Sequence, residues 1–275
     1  MTTTLSLIKG TGYRKGIEDY LSIIDKSQKV VPFTLNVIQQ RYLLYDCTGR
    51  DVILKARQQG FSSLILAIFT LDFLLKDNTR SVIVADKSEN ATELLDRVKF
   101  FIKCFEEKLG VKVPMKYNSK YELFNEQNGS RYTIATAENR DVGRSKTISN
   151  LHLSEFAFYP DSENIFASIM QAVVPEGRVI IETTANGFNY FKTFWAECKT
   201  GDRPFKPLFY PASEFYSKQI LDLKKRELGR LYDQEYPETA EQAFLTSGDL
   251  YFDNVALKWH LTNIRDPIAN GGIYV

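Results

Sequence analysis

The chain has 275 residues, 44% of them hydrophobic and 25% charged, which suits one large domain with a small appendage and excludes wholesale disorder. Its 35 Lys/Arg against 34 Asp/Glu give a net charge of +1, which argues against a histone-like polyanion coat and still allows a local basic patch. Three scattered cysteines and two histidines argue against a disulfide framework, a zinc ribbon and a His-rich metal site, and fit a reducing compartment. No apolar run reaches the ~18 residues of a membrane span, and the Thr-rich start lacks the order of a signal peptide.

Taken in chain order, Ile17, Leu21 and Ile24 have helical spacing within a polar segment, residues 1–30. Pro32 opens an extended entry into a helix over 37–44. Residues 52–54 read as a buried strand, and Leu64, Ile65, Ile68, Leu71, Leu74 and Leu75 mark a helix with a wide apolar face. Residues 81–85 (SVIVA) predict another buried strand, and Leu94 to Phe105 another helix, ended by Gly110 and Pro114. Two strands, 121–124 and 132–135, are joined by a turn at Asn128–Gly129. Strand 151–153, a helix through Ile165, Ile169 and Val173, strand 179–181, an aromatic helix over 188–198 and a strand over 207–210 complete the alternation. This pattern predicts an α/β domain with a mostly parallel central sheet flanked by helices. From Pro211 the character changes to charged and helical (214–236), stopped by Pro237. The expected division is a core over 1–210, with residues 1–30 able to pack on a small helical lid, and a lid and connector over 211–275.

Three segments could carry chemistry. The first, Lys55, Ala56, Arg57, Gln58, Gln59, Gly60, Phe61, Ser62 and Ser63, lies between a strand and a helix, where backbone N–H groups can cradle phosphates. Aligned on Gly60 and Ser62, it departs from the P-loop pattern G-x-x-x-x-G-K-[ST]: Lys55 replaces the first glycine and Phe61 the lysine. Either Lys55 or Arg57 must then supply the phosphate cation. Arginine's planar fork favours Arg57 as the more consequential. The second, Leu151-His-Leu-Ser154-Glu155, is a strand ending in a carboxylate that can orient a water, with Ser154 where an Mg²⁺-supporting Asp is usual. The third, Val179-Ile-Ile-Glu182-Thr183-Thr184-Ala-Asn186-Gly187, ends in hydroxyls and an amide. Read singly, each also fits an ordinary turn or a solvated strand end.

In this order and spacing, from about residue 32 to 252, these segments resemble the large terminase subunit of tailed bacteriophages. The resemblance implies a P-loop NTPase of the ASCE type, ATP and Mg²⁺ as cofactors, and ATP hydrolysis coupled to translocation of double-stranded DNA into a procapsid. Residues 33–39 are similar to the family's adenine-recognition segment, with Gln39 as its glutamine. The 55–63 loop resembles its deviant Walker A, H-L-S-E-F-A a Walker B variant, E-T-T-A-N-G its coupling motif, and residues 236–244 the stretch before its nuclease domain. The implied roles are phosphate binding by the loop and Lys55, Mg²⁺ binding by Ser62 with weak help from Ser154, γ-phosphate contact by Arg57 and water activation by Glu155. Thr183, Thr184 and Asn186 would report the nucleotide state. A trans-acting arginine is expected at Arg140 or Arg144, in a Gly-containing loop, which makes the isolated chain a poor ATPase until a ring assembles. The implied partners are DNA, the portal and procapsid, the small terminase subunit and further copies of this chain, in the cytoplasm of an infected bacterium and without a membrane. The chain stops at Val275, and its later acids, Asp249, Asp253 and Asp266, are isolated, so no nuclease activity is expected. A helicase-like translocase and a catalytically inactive nucleotide-binding assembly module are the other readings.

Overall fold

The structure is a computed structural model that describes residues 11–138, 147–245, 259–260 and 262–264. It opens with α1 (Thr11–Tyr20) and a short antiparallel hairpin, β1 (Ser22–Ile24) and β2 (Val30–Pro32). The helical spacing that ran on to Ile24 stops early. Leu21 N–H still closes on Ile17 O, but Leu21 O accepts from Phe33 N–H, so the backbone is satisfied by strand-like pairing. Ile24 is left on an exposed strand. Tyr13, Ile17 and Leu21 enter the main core beside residues of the helices that follow, and Tyr20 packs edge-on against Phe105. That places this segment on the core, where the sequence allowed it to join the lid.

Next come α2 (Val37–Arg41), capped reciprocally by Asn36 and Gln39, and one π-helical turn, Tyr42–Asp46. The repeating units are β3 (Arg50–Lys55), α3 (Phe61–Leu75), β4 (Arg80–Ala85) and α4 (Ser88–Leu109). A meander follows of β5 (Met115–Asn118), β6 (Glu122–Asn125) and β7 (Arg131–Thr136). Then come β8 (Ile148–Ser154), α5 (Ser162–Met170), β9 (Val173–Thr183), α6 (Tyr190–Thr200) and β10 (Lys206–Tyr210). The eight-stranded sheet runs β10-β3-β9-β8-β4-β7-β6-β5, parallel from β10 to β7 and antiparallel beyond. β5 is the strand of this sheet that sequence reading did not foresee, as it did not foresee the β1–β2 hairpin. It is an edge strand with Lys116 and Tyr117 exposed, so it lacks the apolar run that marks its buried neighbours.

Period-two alternation sorts the strand residues into two cores. Ile53, Ile83 and Ile180 face the layer of α1, α3 and α4. Val52, Leu54, Val82, Val84, Val179 and Ile181 face the other layer, where Phe156, Phe166, Phe194 and Phe205 interlock. Helix α3 is apolar nearly all round because it is buried on most sides, as its 0–3% exposed residues show. Its buried Asp72 is not stranded: Tyr13 Oη donates at 2.6 Å, Asn150 Nδ2 at 3.1 Å and Arg178 at 2.7 Å, with Lys76 at 2.7 Å.

Beyond Tyr210 lie α7 (Lys218–Leu228), which buries none of its residues, α8 (Tyr232–Glu235) and α9 (Ala240–Leu245). A satellite cluster joins this region to the 55–63 segment: Ala56 packs with Ala212, Tyr232 and Tyr236. Helix α9 returns to the second core, with Phe244 5.9 Å from Phe191. Among the described residues no helix is long and apolar enough to cross a membrane.

Candidate functional site

Because β3, β9, β8 and β4 are parallel, their carboxyl ends open on the same edge, where open α/β sheets bind ligands. A cleft of about 490 Å³ lies there, lined by residues 57–63, Lys55, Asp86, Asn90, Arg97, Glu155, Phe158 and Thr184. The loop turns into α3 at Gly60, in the left-handed region at φ 84°, and a Cβ there would lie 2.7 Å from the Gln39 amide nitrogen. No side chain caps the helix start, so its first-turn amides remain for an anion.

The predicted loop residues divide sharply. Phe61 points inward, fully buried between Tyr42 (5.8 Å) and Tyr210 (4.7 Å), while Ser62 and Ser63 line the cleft. Gln59 is also buried, and its amide donates to the carbonyls of Tyr210 and Pro211 at 3.2 and 3.1 Å, tying the loop to the end of β10. Arg57 lines the cleft, but its side chain is 61% exposed and pairs with Glu235 at 2.6 Å. Its N–H donates to Glu235 O and its carbonyl accepts from Tyr216 Oη at 2.7 Å, so Arg57 is the loop's link to the 211–236 segment. Lys55 is the opposite case. Its side chain, at 6% exposure, is inside the site, with Nζ 3.3 Å from Glu155 and 3.2 Å from Glu182. Burial works against its charge, but Glu155 and then Glu182 outweigh burial and hold the ammonium well above its ordinary range.

Gln39 does not face open cleft. Its Oε1 accepts from Asn36 N–H at 3.0 Å, and its Nε2 donates to Gly60 O at 2.8 Å. The amide expected to read adenine is spent on holding the 55–63 loop at Gly60. The two roles are separable: Gln39→Ala should lose about 1–3 kcal/mol of stability through the unpaired groups it leaves, read as a fall in Tm. An unchanged Tm with lost preference for adenine over guanine nucleotides would instead assign Gln39 to the base.

Glu155 follows the last residue of β8 in left-handed backbone at φ 55°, unusual for a non-glycine residue and common at functional sites. Its N–H donates to Glu182 O at 2.8 Å, which fixes the bend. Burial raises its pKa, against the pull of Lys55. Residues 183–189 grip the residues just after it. Thr183 Oγ1 accepts from Ala157 N–H at 3.2 Å and donates to Thr184 O at 2.7 Å, and Asn186 and Asn189 both donate to Ala157 O. Thr184 itself lines the cleft. The residues just after Glu155 are therefore tied by hydrogen bonds to residues 183–189.

Arg97 and Glu182 had no role in the sequence reading. Arg97, on α4, lines the cleft and donates to Ser63 Oγ at 3.1 Å. Glu182, at 0% exposure, accepts from Ser62 Oγ and from Ser154 Oγ, each at 2.8 Å, with His152 Nε2 at 3.3 Å. Burial disfavours its charge, but Lys55 first, then His152 and Ser154, keep it ionised far below the ordinary carboxylate range. Among the described residues no group of three or more His, Cys, Asp or Glu forms a ready metal cage. The donors on hand are the hydroxyls of Ser62 and Ser154, hard oxygens that suit Mg²⁺ when phosphates and waters complete its shell. Arg140 and Arg144, and the acids Asp249, Asp253 and Asp266, lie outside the described residues.

The sequence model of the family described as "Terminase large subunit, T4likevirus-type, N-terminal" matches residues 52–250. The chain belongs to this family. The fold agrees with that assignment. It is similar to the large terminase ATPase domain of Thermus phage P74-26, with a TM-score of 0.58 at 17% identity, covering 73% of this chain and 92% of that one. It is also similar to the large terminase of bacteriophage HK97 (TM-score 0.65, 16% identity, 86% of this chain and 55% of that one). A third is the large terminase of a thermophilic bacteriophage in complex with ADP (0.57, 12%, 74% and 53%). The chain thus spans about half the length of these last two terminases. At these identities the likeness shows the fold, that of large terminase ATPase domains, with a mostly parallel sheet.

Proposed function

We propose that this chain binds and hydrolyses ATP with Mg²⁺, and that within a terminase motor the hydrolysis drives double-stranded DNA into a procapsid. The observation that carries the reading is the convergence, at one strand edge, of an uncapped helix N-terminus, a buried ammonium and a strand-tip carboxylate: the start of α3, Lys55 and Glu155. The amides of the 58–63 loop bind the phosphate oxygens. Lys55 supplies the positive charge that Phe61 cannot, and its burial between Glu155 and Glu182 favours it over Arg57, whose exposed side chain is engaged with Glu235. Ser62 and Ser154 provide oxygens for Mg²⁺, which when bound neutralises phosphate charge. Glu155 orients and deprotonates the attacking water, while Arg97 adds a second cation to the cleft wall. Family membership supports DNA, portal, procapsid and small terminase subunit as partners, and action in the infected host cell. Assembly into a ring, with Arg140 or Arg144 acting on a neighbour's nucleotide, belongs to the same proposal.

The test is phosphate release and nucleotide binding by wild type and Glu155→Gln, at high protein concentration or with procapsids. The variant should still bind ATP while turnover falls roughly 10²-fold or more, the usual loss for a positioned base. Saturable ATP binding with no phosphate release from wild type would make the chain an inactive binding module instead.

A further inference from the structure

We propose that Glu182 supplies to Mg²⁺ the carboxylate that position 154 lacks, so that the metal-supporting acid has moved one strand across the sheet. The inference rests on the ATPase reading above. Ser154 is the last residue of β8, and its register partner on β9 is Glu182. An acid at either position projects from neighbouring strands at the same height. The longer Glu182 side chain brings Oε1 to 2.8 Å from Ser154 Oγ, into the space beside the serine that stands where an aspartate is usual.

Three features separate a metal ligand from a mere counter-ion for Lys55. First, Oε1 is also 2.8 Å from Ser62 Oγ, the loop hydroxyl whose chemistry in P-loops is to bind Mg²⁺. Two adjacent ligands of an octahedral Mg²⁺, each at about 2.0–2.1 Å, stand about 2.9 Å apart. The hydroxyl and carboxylate are therefore spaced so that a shared ion can replace their hydrogen bond with little movement. Second, the carboxylate is used lopsidedly. Ser62, Ser154 and His152 all crowd Oε1, whereas Oε2 is fully buried, has no hydrogen-bond partner and has Lys55 Nζ at 3.2 Å. Third, Lys55 divides its charge between Glu182 and Glu155, so phosphates that draw Lys55 away would leave Glu182 a buried anion needing a cation. Mg²⁺ arriving with the nucleotide is that cation. Before it arrives, Lys55 occupies the role.

The experiment measures binding of a fluorescent ADP to the full chain with and without Mg²⁺, and the Mg²⁺ concentration that gives half of the tightening. Wild type should bind more tightly with Mg²⁺. Glu182→Gln, which keeps shape and removes charge, should need roughly ten-fold more Mg²⁺ or more, while metal-free ADP binding persists. Adding Ser154→Asp to Glu182→Gln should bring the Mg²⁺ requirement back towards wild type, because the carboxylate returns to the register-paired position. A purely structural Glu182 predicts no such rescue. Should the single variant fail to fold, the double variant decides, since it retains a carboxylate in the register pair of positions 154 and 182: Mg²⁺-tightened binding supports the proposal and its absence overturns it. A Glu182→Gln protein with an unchanged Mg²⁺ requirement also overturns it and leaves the ATPase reading intact. Wild type that binds neither ADP nor ATP under any condition defeats the ATPase reading itself.

Discussion

Lys55→Met should lower stability by about 3–5 kcal/mol near neutral pH and abolish tight nucleotide binding. The size follows from what the substitution leaves behind: Glu182 at 0% exposure with no ammonium, and Glu155 beside it. Removing one partner of a buried ion pair strands the other charge, a larger loss than the pair's net worth. Methionine keeps the length of the stem, so the loss is electrostatic more than steric. The deficit has a pH signature. Glu182 titrates below its ordinary value in the folded protein, so the stability it contributes is present above the unfolded carboxylate range and is lost as pH falls through its folded pKa. Without Lys55 the folded pKa rises, Glu182 takes up its proton at higher pH, and the gap between variant and wild type should narrow as pH is lowered. Urea titrations from pH 7 down to about pH 4, spanning the ordinary Glu range, would follow this. The companion is Arg57→Ala. Its pair with Glu235 has the arginine side chain 61% exposed, so the cost should be within about 1 kcal/mol, and the backbone bond from Arg57 N–H to Glu235 O remains. If Arg57→Ala abolishes nucleotide binding and Lys55→Met retains it, the cation is Arg57, as arginine's chemistry alone suggested.

Phe61→Lys restores the residue that the P-loop pattern asks for, and it should damage the protein without improving it. Phe61 is fully buried against Tyr42 and Tyr210 in the core under the loop. Loss of a buried phenyl ring alone costs about 3–5 kcal/mol. The lysine adds either a buried charge or the work of neutralising it. The variant should therefore be insoluble or unfold many degrees earlier, whereas Phe61→Leu should fold and keep nucleotide binding. The measurement is thermal unfolding beside phosphate release. A Phe61→Lys protein as stable as wild type, with faster turnover, would mean that position 61 faces the phosphates.

Strand and helix alternation was legible in the sequence because its causes are local. Buried parallel strands need short β-branched apolar runs such as 81–85, and α3 and α4 need apolar residues at three- and four-residue spacing, which the chain carries openly. The loop at 55–63, the strand-tip Glu155 and the 183–186 segment could be located for the same reason: each is a contiguous string between two elements. The family followed from the order of those strings.

What the sequence could not decide is which side chains from distant strings meet. Lys55 and Arg57 are two residues apart, and arginine's planar fork by itself favoured Arg57. The end of β3 at Lys55 and the packing of Ala56 against Tyr232 and Tyr236 leave Lys55 between Glu155 and Glu182 and Arg57 paired with Glu235. Phe61 occupies a lysine's place in the string, yet the pocket between Tyr42 and Tyr210, contributed by residues 19 behind and 149 ahead of it, makes it core. Glu182 read as a strand residue before a hydroxyl-rich turn. Its importance comes from register with Ser154 and from the placing of β9 between β3 and β8, and neither is written in any window of sequence. Arg97 is one charge among many on an amphipathic helix until α4 docks it over Ser63. Local propensity and periodicity set the elements, because they act over a few residues. Strand order and register set the site, because they are consequences of how the whole sheet closes its core.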